Sequence, residues 1–272
     1  FLIIEFFYQL TLFTLLGEIT PLSNGFSRVF LQSQIFAIPA FLVSLWFFVR
    51  DHRVSQGLAS SLFLAVILTS LSRSFWVGTA AALVALTVMA LYAFRPNFKT
   101  ICRAVSSGMG IVLGAIAILF IVVRFPIPTP VSDISVSLFK DRATGFEAAA
   151  ASRWALLPVM ISAWQQNPIA GYGLGKTLTY KTSDPRVLEH SPDGNYTTNA
   201  FEWGWLDIIL KLGLLGSIAY VWFLVSIIKK AHPLVASALI ALAAIHIFTP
   251  YLNHPLGFGY LAFLIIGAKG LD

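Results

Sequence analysis

Arg73 is the one charged residue between Leu58 and Phe94, and serines flank it in the stretch TSLSRSFWVG. An isolated guanidinium in such a setting has two chemical uses. It marks a turn from which its long side chain snorkels to lipid headgroups, or it grips an anion with forked hydrogen bonds. Arg153 presents the same choice, because it stands beside Trp154 where a basic side chain reaches either lipid phosphate or a bound anion. The densest polar stretch, DPRVLEHSPDGNYTTNAFEW, gathers Arg186, Glu189, His190, Asp193 and Glu202. Glu202 and His190 are the residue types that accept a proton from a hydroxyl, and Asn199 is near enough in sequence to orient Glu202. Each has a plain reading as well, Glu202 as a carboxylate favoured at the start of a helix and His190 as a solvated loop residue. Asp207 and Lys211, four apart, are spaced to pair on one helix, the other reading of Lys211 being a phosphate ligand. Arg28 is a further cation of open role, and His246 and His254 read as packing or interface residues.

The elements that must position these groups are set by composition. Mean hydropathy is +0.81, apolar residues make up 57% and charged residues 11%, which describes an integral membrane protein. A single helix over the stretch containing Arg73 would be about 55 Å long against a hydrocarbon core of about 30 Å, so the chain must turn back at Ser72-Arg73-Ser74. Apolar windows near 1–16, 30–49, 57–71, 75–94, 107–123, 203–228, 234–248 and 256–268 predict an all-α polytopic fold of about eight spans. Pro39 should kink the second. The predicted organisation is N-terminal spans over 1–123, a large loop with an interfacial helix over 124–200, and C-terminal spans over 201–272.

Charge orients the spans. Arg50 and Arg53, then Arg95, Lys99 and Arg103, then Lys229 and Lys230, and finally Lys269 fall in alternate connections, which the positive-inside rule places in the cytoplasm. Arg73 and the long loop then face outward together. Trp154, Trp164, Trp203 and Trp205 suit the outer interface, whereas Trp222 does not fit that pattern. The chain opens at Phe1 inside an apolar run, which predicts a fragment or a processed product. Its single Cys102 excludes an internal disulfide, and no Cys/His cluster has metal-ligand spacing.

The loop reads in three parts. RFPIPTPVSD is an extended, proline-rich spacer. The stretch from Glu147 to Pro168 places Trp154, Leu157, Met160, Ile161 and Trp164 on one apolar helix face for the interface, with a bend at Pro158. In AGYGLGKTLTYKTSD the triplet Gly175-Lys176-Thr177 imitates a phosphate loop, but Ala170 stands where glycine is required and a preceding strand is lacking, so a nucleotide site is rejected. These glycines instead end the helix and let backbone amides approach something closely. Asn195-Tyr196-Thr197 matches a glycosylation pattern too common to carry weight.

Three stretches together resemble one family. TSLSRSFWVGTAAALVAL is similar to the Ser-Arg segment that opens the region shared by O-antigen ligases and O-antigen polymerases. SRWALLPVMISAWQQNPIAGYGLG is similar to their second arginine with its proline and Gly-x-Gly stretch, and WGWLDIILKLGLLG to the helix after the large periplasmic loop. GFSRVFLQSQIF and HIFTPYLNHPLG add weaker similarity near either end. The resemblance covers most of the chain, and its force comes from the order of the motifs and the topology. The family typically has about a dozen spans, so the resemblance implies further helices N-terminal to this chain.

The resemblance implies a membrane glycosyltransferase of the C-type fold in the bacterial inner membrane, with its site facing the periplasm. Its donor would be a glycan on undecaprenyl diphosphate, its acceptor lipid A core or a second lipid-linked glycan, and its surroundings membrane lipids. Neither metal, cofactor nor nucleic acid is expected. Arg73 and Arg153 become the diphosphate ligands, with Lys211 and Arg28 as further support. Two guanidiniums can neutralise the anion released when a sugar–diphosphate bond breaks. The family's histidine does not carry over, because counting back from Gly213 places its His-Asn pair on Glu202-Trp203. Glu202 takes the base role, or His190 does, or the acceptor chemistry differs. The competing class is a transporter or flippase for a lipid-linked sugar, which would require broken helices around a polar midplane site.

Overall fold

The computed structural model describes residues 18–21, 27–30, 32–95, 97–124 and 148–268. The apolar window at 1–16, the proline-rich spacer beyond Arg124, and Lys269 lie outside them. The elements are β1 (Glu18–Pro21), β2 (Ser27–Phe30), a 3-10 turn (Gln32–Phe36), α1 (Ala37–Asp51), α2 (Val54–Thr69), α3 (Arg73–Phe94) and α4 (Phe98–Arg124). There follow α5 (Ala148–Gln166), β3 (Leu178–Lys181), the single turn α6 (Pro185–Leu188), β4 (Asn195–Thr198), α7 (Gly204–Lys230), α8 (Pro233–Ile245), a 3-10 turn (Tyr251–Asn253) and α9 (Pro255–Ala268).

Each of the seven apolar windows within the described residues forms a helix. Four helices are long and apolar enough to cross a membrane, Ser33–Asp51, Arg73–Ala93, Phe98–Leu119 and Gly204–Lys230, whereas Val54–Thr69, Pro233–Ile245 and Pro255–Ile266 are shorter apolar helices. The apolar faces of α3 and α4 stay uncovered, with Val84, Val88, Met109 and Leu113 each more than half exposed. Hydrocarbon rather than water suits such faces. Two predictions need correcting. The fold is not purely α, because β1 pairs with β2 and β3 with β4 in two-stranded antiparallel sheets. Pro39 does not kink the middle of its span; it lies in the first turn of α1, just after the 3-10 turn, where a missing N–H breaks no helical ladder.

The described residues form two compact units, one drawn from Phe1–Ala143, Ala231–Ala241 and Leu264–Asp272, the other from Thr144–Lys230 and Leu242–Phe263. In the first, α1, α2 and α4 pack through small residues. The Ser60 hydroxyl donates to Ser44 Oγ at 2.9 Å across the α1–α2 contact, and a Cβ on Gly114 would lie 2.5 Å from Ser61 Oγ across the α2–α4 contact. Lipid supplies no hydrophobic drive between helices, so close backbone approach and buried hydroxyls hold them. The turn expected at Ser72-Arg73-Ser74 is present. Ser70 closes α2 by donating to the Ile67 carbonyl at 2.6 Å, Leu71 takes a left-handed conformation, and the hydroxyls of Ser72 and Ser74 lie 3.0 Å apart beneath the start of α3.

In the second unit, Leu156, Met160 and Ala163 of α5 pack with Leu178, Tyr180, Phe201 and Leu210. Of the face expected, Met160 is buried and Trp164 packs against this cluster, while Leu156 and Ala163 complete the buried set. Trp154 and Ile161 point outward, at 54% and 39% exposed. Apolar residues surround most of the helix, with Arg153 its one charged residue, so periodicity alone could not select a face.

The unit depends on an interruption of α7. Gly213 adopts φ 66° and ψ −177°, a conformation reserved for glycine, and frees backbone groups on both sides. Tyr172 N–H donates to the Leu210 carbonyl at 3.0 Å and Gly173 N–H to Lys211 at 2.8 Å, while Leu214 N–H donates to the Pro168 carbonyl at 2.9 Å and Leu215 N–H to Ile169 at 3.4 Å. The segment after α5 thus lies against the break as a paired strand would. Contact is so close that a Cβ on Gly213 would overlap the Ile169 carbonyl, and one on Gly171 would overlap the Gly213 nitrogen.

One turn before the break, Asp207 and Lys211 pair as their spacing predicts, 2.7 Å apart and buried. Asn253 donates to the other Asp207 oxygen at 2.7 Å, and the Lys211 ammonium donates to the Asn199 carbonyl at 2.7 Å. Every charge in this small network therefore has a partner.

Two outcomes follow from these features. Gly213→Ala should destabilise the protein by roughly 3 kcal/mol or more, from left-handed strain plus overlap with Ile169, seen as a lower melting temperature in detergent. Asp207→Asn should cost about 3–5 kcal/mol because Lys211 is left charged and unpaired, whereas Asp207→Leu combined with Lys211→Met should recover most of that loss. Equal melting of the single and double variants would show that the pair is not coupled.

Candidate functional site

Arg153 belongs to the second turn of α5 and is fastened at both ends. Its Nε donates to Glu202 Oε2 at 2.6 Å, and its own carbonyl accepts from the Trp203 indole at 2.8 Å. The rings of Trp154 and Trp203 meet edge to face, 5.2 Å between centroids. The segment leading into α7 is thereby clipped to α5 beside the buried Phe201. Arg153 and Glu202 remain 32% and 42% exposed at their side chains. The hydrogen bond to Glu202 uses Nε, and a guanidinium held there has two terminal nitrogens of the kind that grip a phosphate with forked bonds.

Glu202 also lines a cleft of about 430 Å³ in the same unit, together with His190, Ser152, Tyr180, Asp184 and Tyr196. Both proton acceptors anticipated in the sequence thus face one cavity. Tyr180 and Ser152 share a hydrogen bond of 2.9 Å within its lining, and burial pushes the Tyr180 phenol above its ordinary range. Asp184 is 6% exposed, and its carbonyl accepts from Val187 at 2.9 Å and Leu188 at 3.1 Å to start α6, the turn that delivers His190. Tyr196 stands on β4, opposite Tyr180 of β3.

Other anticipated residues have different surroundings. Lys211 is buried, its ammonium divided between Asp207 and the Asn199 carbonyl and 5.0 Å above the Phe201 ring. Asn199 acts through its main chain, holding Lys211; no bond joins it to Glu202 among those described. Asp193 closes a turn, since Ser191 donates to it at 2.6 Å and the Asn195 N–H at 3.2 Å. Those hydrogen bonds, the Ser191 one first, hold its carboxyl below the usual range. The Asn195 amide also donates to Asp193, which gives this residue a structural task within the Asn-Tyr-Thr triplet. His246 is buried and accepts the Leu252 N–H at its Nδ1 at 3.1 Å, a packing role as read from the sequence. Arg73, in the first unit, is the half-buried first residue of α3 beside the Ser72–Ser74 hydroxyls. Arg28 lies on β2, in register with Thr20. No group of three His, Cys, Asp or Glu side chains able to hold a metal gathers among the described residues.

Sequence reading missed Ser152, Tyr180, Asp184 and Tyr196. Their spacings match no motif, and only the pairing of β3 with β4 against α5 brings them together. The usable signal was the alternation in LTYK and the Asp193-Gly194 turn residues just before NYTT, which mark a strand and the start of another.

A family model described as O-antigen ligase matches residues 58–221, a span that contains the Ser72–Ser74 turn, α5, the cleft and the break in α7. No curated protein and no solved structure matches the chain. The matched span exceeds half of the 272 residues and includes all three of the stretches on which the sequence resemblance rests, so this chain belongs to the O-antigen ligase family of membrane glycan-transferring enzymes.

Proposed function

We propose that the protein transfers or polymerises an undecaprenyl-diphosphate-linked glycan on the periplasmic face of the inner membrane, without a metal ion. The observation that carries this reading is the Arg153–Glu202 ion pair, whose carboxylate lines the same cleft as His190. In the reaction the acceptor hydroxyl oxygen bonds to the anomeric carbon, and the bond from that carbon to the diphosphate oxygen breaks. The electron pair leaves with the diphosphate. The terminal nitrogens of Arg153 receive the developing charge, as oriented donors do in acyl- and phosphoryl-transfer sites. Glu202 fixes the guanidinium and is a positioning residue. His190 is then the base, taking the hydroxyl proton. Arg73, which the family resemblance also assigns to the diphosphate, is an anion ligand in this reading and starts α3 beside the hydroxyls of Ser72 and Ser74.

The topology follows from charge, with about eight spans and the segment from Arg124 to Ala200 outside. Arg50 and Arg53 flank the α1–α2 connection, Arg95 and Lys99 the α3–α4 connection, and Lys229 and Lys230 end α7. These fall on the same side if each intervening apolar helix crosses the bilayer.

The transporter reading draws support from one feature, the broken α7. In a transporter the freed backbone groups would face the cargo. Here Pro168–Gly173 takes them, and the nearby charges satisfy one another.

Arg153→Ala and Arg73→Ala should each lower glycan transfer at least about a hundredfold with the protein still in the membrane, the scale seen when one oriented donor is removed. His190→Ala should fall by about 10²–10⁴, and Glu202→Gln less, since the amide oxygen still accepts from Arg153. Wild-type rates in Arg153→Ala and His190→Ala would end this assignment. Topology is checked with an impermeant maleimide on intact spheroplasts. Native Cys102, exposed near the start of α4, should react only after permeabilisation, while Ser183→Cys should react at once; the reverse order would invert the orientation.

A further inference from the structure

The catalytic reading uses one edge of the cleft and leaves its floor unassigned. That floor has a definite chemistry. Tyr196 is 40% exposed, and its ring is held at 76° to Tyr180 with centroids 5.9 Å apart, so an aromatic face is presented in a fixed orientation before any ligand arrives. Behind it stand the hydrogen-bonded hydroxyls of Ser152 and Tyr180 and the buried Asp184. A hydroxyl can donate and accept at once, so the Ser152–Tyr180 pair keeps capacity for a third partner, and a carboxylate accepts several. Two carboxylates, Asp184 and Glu202, lie in the lining, and the guanidinium adjoining Glu202 is paired with it. No lysine or arginine stands among the described lining residues, so a phosphate on this floor would find no such cation there. A ligand rich in hydroxyls, with one apolar ring face and no anionic group, matches every part of it, and the volume of about 430 Å³ is within the range of pockets that enclose small ligands.

We propose that this cleft is a subsite for a phosphate-free sugar unit, with Tyr196 as the platform for its ring and Asp184, Ser152 and Tyr180 as hydrogen-bond partners for its hydroxyls. The proposal rests on the glycan-transfer reading for its biological context, and it separates the site's functions. The sugar is recognised on the floor, and the diphosphate stays at the Arg153 edge. The sugar belongs either to the acceptor or to the donor glycan, which share this chemistry.

The test uses the full chain in detergent and a phosphate-free oligosaccharide released from the host's surface glycan, observed by saturation-transfer NMR. Saturation should reach its ring protons and survive an excess of inorganic diphosphate. It should fall about fivefold or more in Tyr196→Ala, the order of one lost aromatic contact, and likewise in Ala200→Phe, which fills the cleft while removing no contact. Tyr196→Phe should bind normally. Tyr196 and Ala200 are both exposed, and unchanged melting temperatures confirm folding. No binding, binding indifferent to Tyr196→Ala and Ala200→Phe, or displacement by diphosphate would each overturn the proposal. In the transfer assay, a raised KM of Tyr196→Ala for acceptor assigns the sugar to the acceptor, and a raised KM for donor assigns it to the donor; a change in neither would count against the subsite. The two readings fail separately. Normal transfer by Arg153→Ala with oligosaccharide still bound removes the mechanism alone, whereas lost transfer in Arg153→Ala with binding unaffected by Tyr196→Ala removes the sugar subsite alone.

Discussion

Four main-chain hydrogen bonds across the break in α7 hold the second unit in shape, and most of what surrounds the cleft depends on them. A helix interrupted in an apolar setting leaves N–H and C=O groups that must be satisfied, each at a cost of several kcal/mol if it is not. Pro168, Ile169, Tyr172 and Gly173 satisfy them, and in doing so fix where α5 ends relative to the first turns of α7. The requirement for glycine is steric at both places. Gly213 has a backbone conformation only glycine adopts readily, and Gly171 passes so close to it that neither tolerates a Cβ. This also explains why the stretch with the proline and glycines and the stretch after the loop belong together, although some forty residues separate them in the sequence. They are the two halves of one contact.

From that contact, support passes outward in a chain of single bonds. Lys211, whose own carbonyl accepts from Gly173, directs its ammonium to the Asn199 carbonyl. Asn199 leads into Phe201, which is fully buried against α5, and Glu202 follows at once with its grip on Arg153. A buried ion pair such as Asp207–Lys211 is a weak source of net stability, since desolvation offsets attraction. Its value here is geometric. An apolar pair in its place would keep the helix and lose the hydrogen bond that fixes the entry to α7.

The sequence is informative where a constraint is local. Seven apolar windows became helices because length and hydropathy alone decide whether a segment satisfies its backbone in lipid. The turn at Ser72-Arg73-Ser74 was legible because a charge between two apolar runs has few places to go, and the Asp207–Lys211 pair because helical geometry sets its spacing. Legibility failed where neighbours decide. The face of α5 was read only in part: Met160 and Trp164 meet the core as part of the expected face, but Leu156 and Ala163 are buried where Trp154 and Ile161 are exposed, and only the partner surface of β3 and Phe201 distinguishes them. The strands themselves were missed because four-residue segments in a polar loop gain most of their stability from the element they cover. With them went the cleft and four of its lining residues.

One departure from the family resemblance now has a physical account. Glu202 and Trp203 stand where the resemblance implies a histidine followed by an asparagine, and transferring roles by position would make Glu202 the base. Both residues instead act on Arg153, the carboxylate on its side chain and the indole on its carbonyl. The carboxylate supplies a full opposite charge to the guanidinium, and the indole packs against Trp154. A residue already engaged in fixing an anion ligand is poorly suited to carry a proton in the same step, for protonating it would release the ligand. In the proposed mechanism the proton therefore goes to His190, which reaches the same cleft from α6 by a separate path of the chain. In that proposal the family's chemistry is kept while its roles are divided between other residues, which line one cavity from two separate segments of the chain.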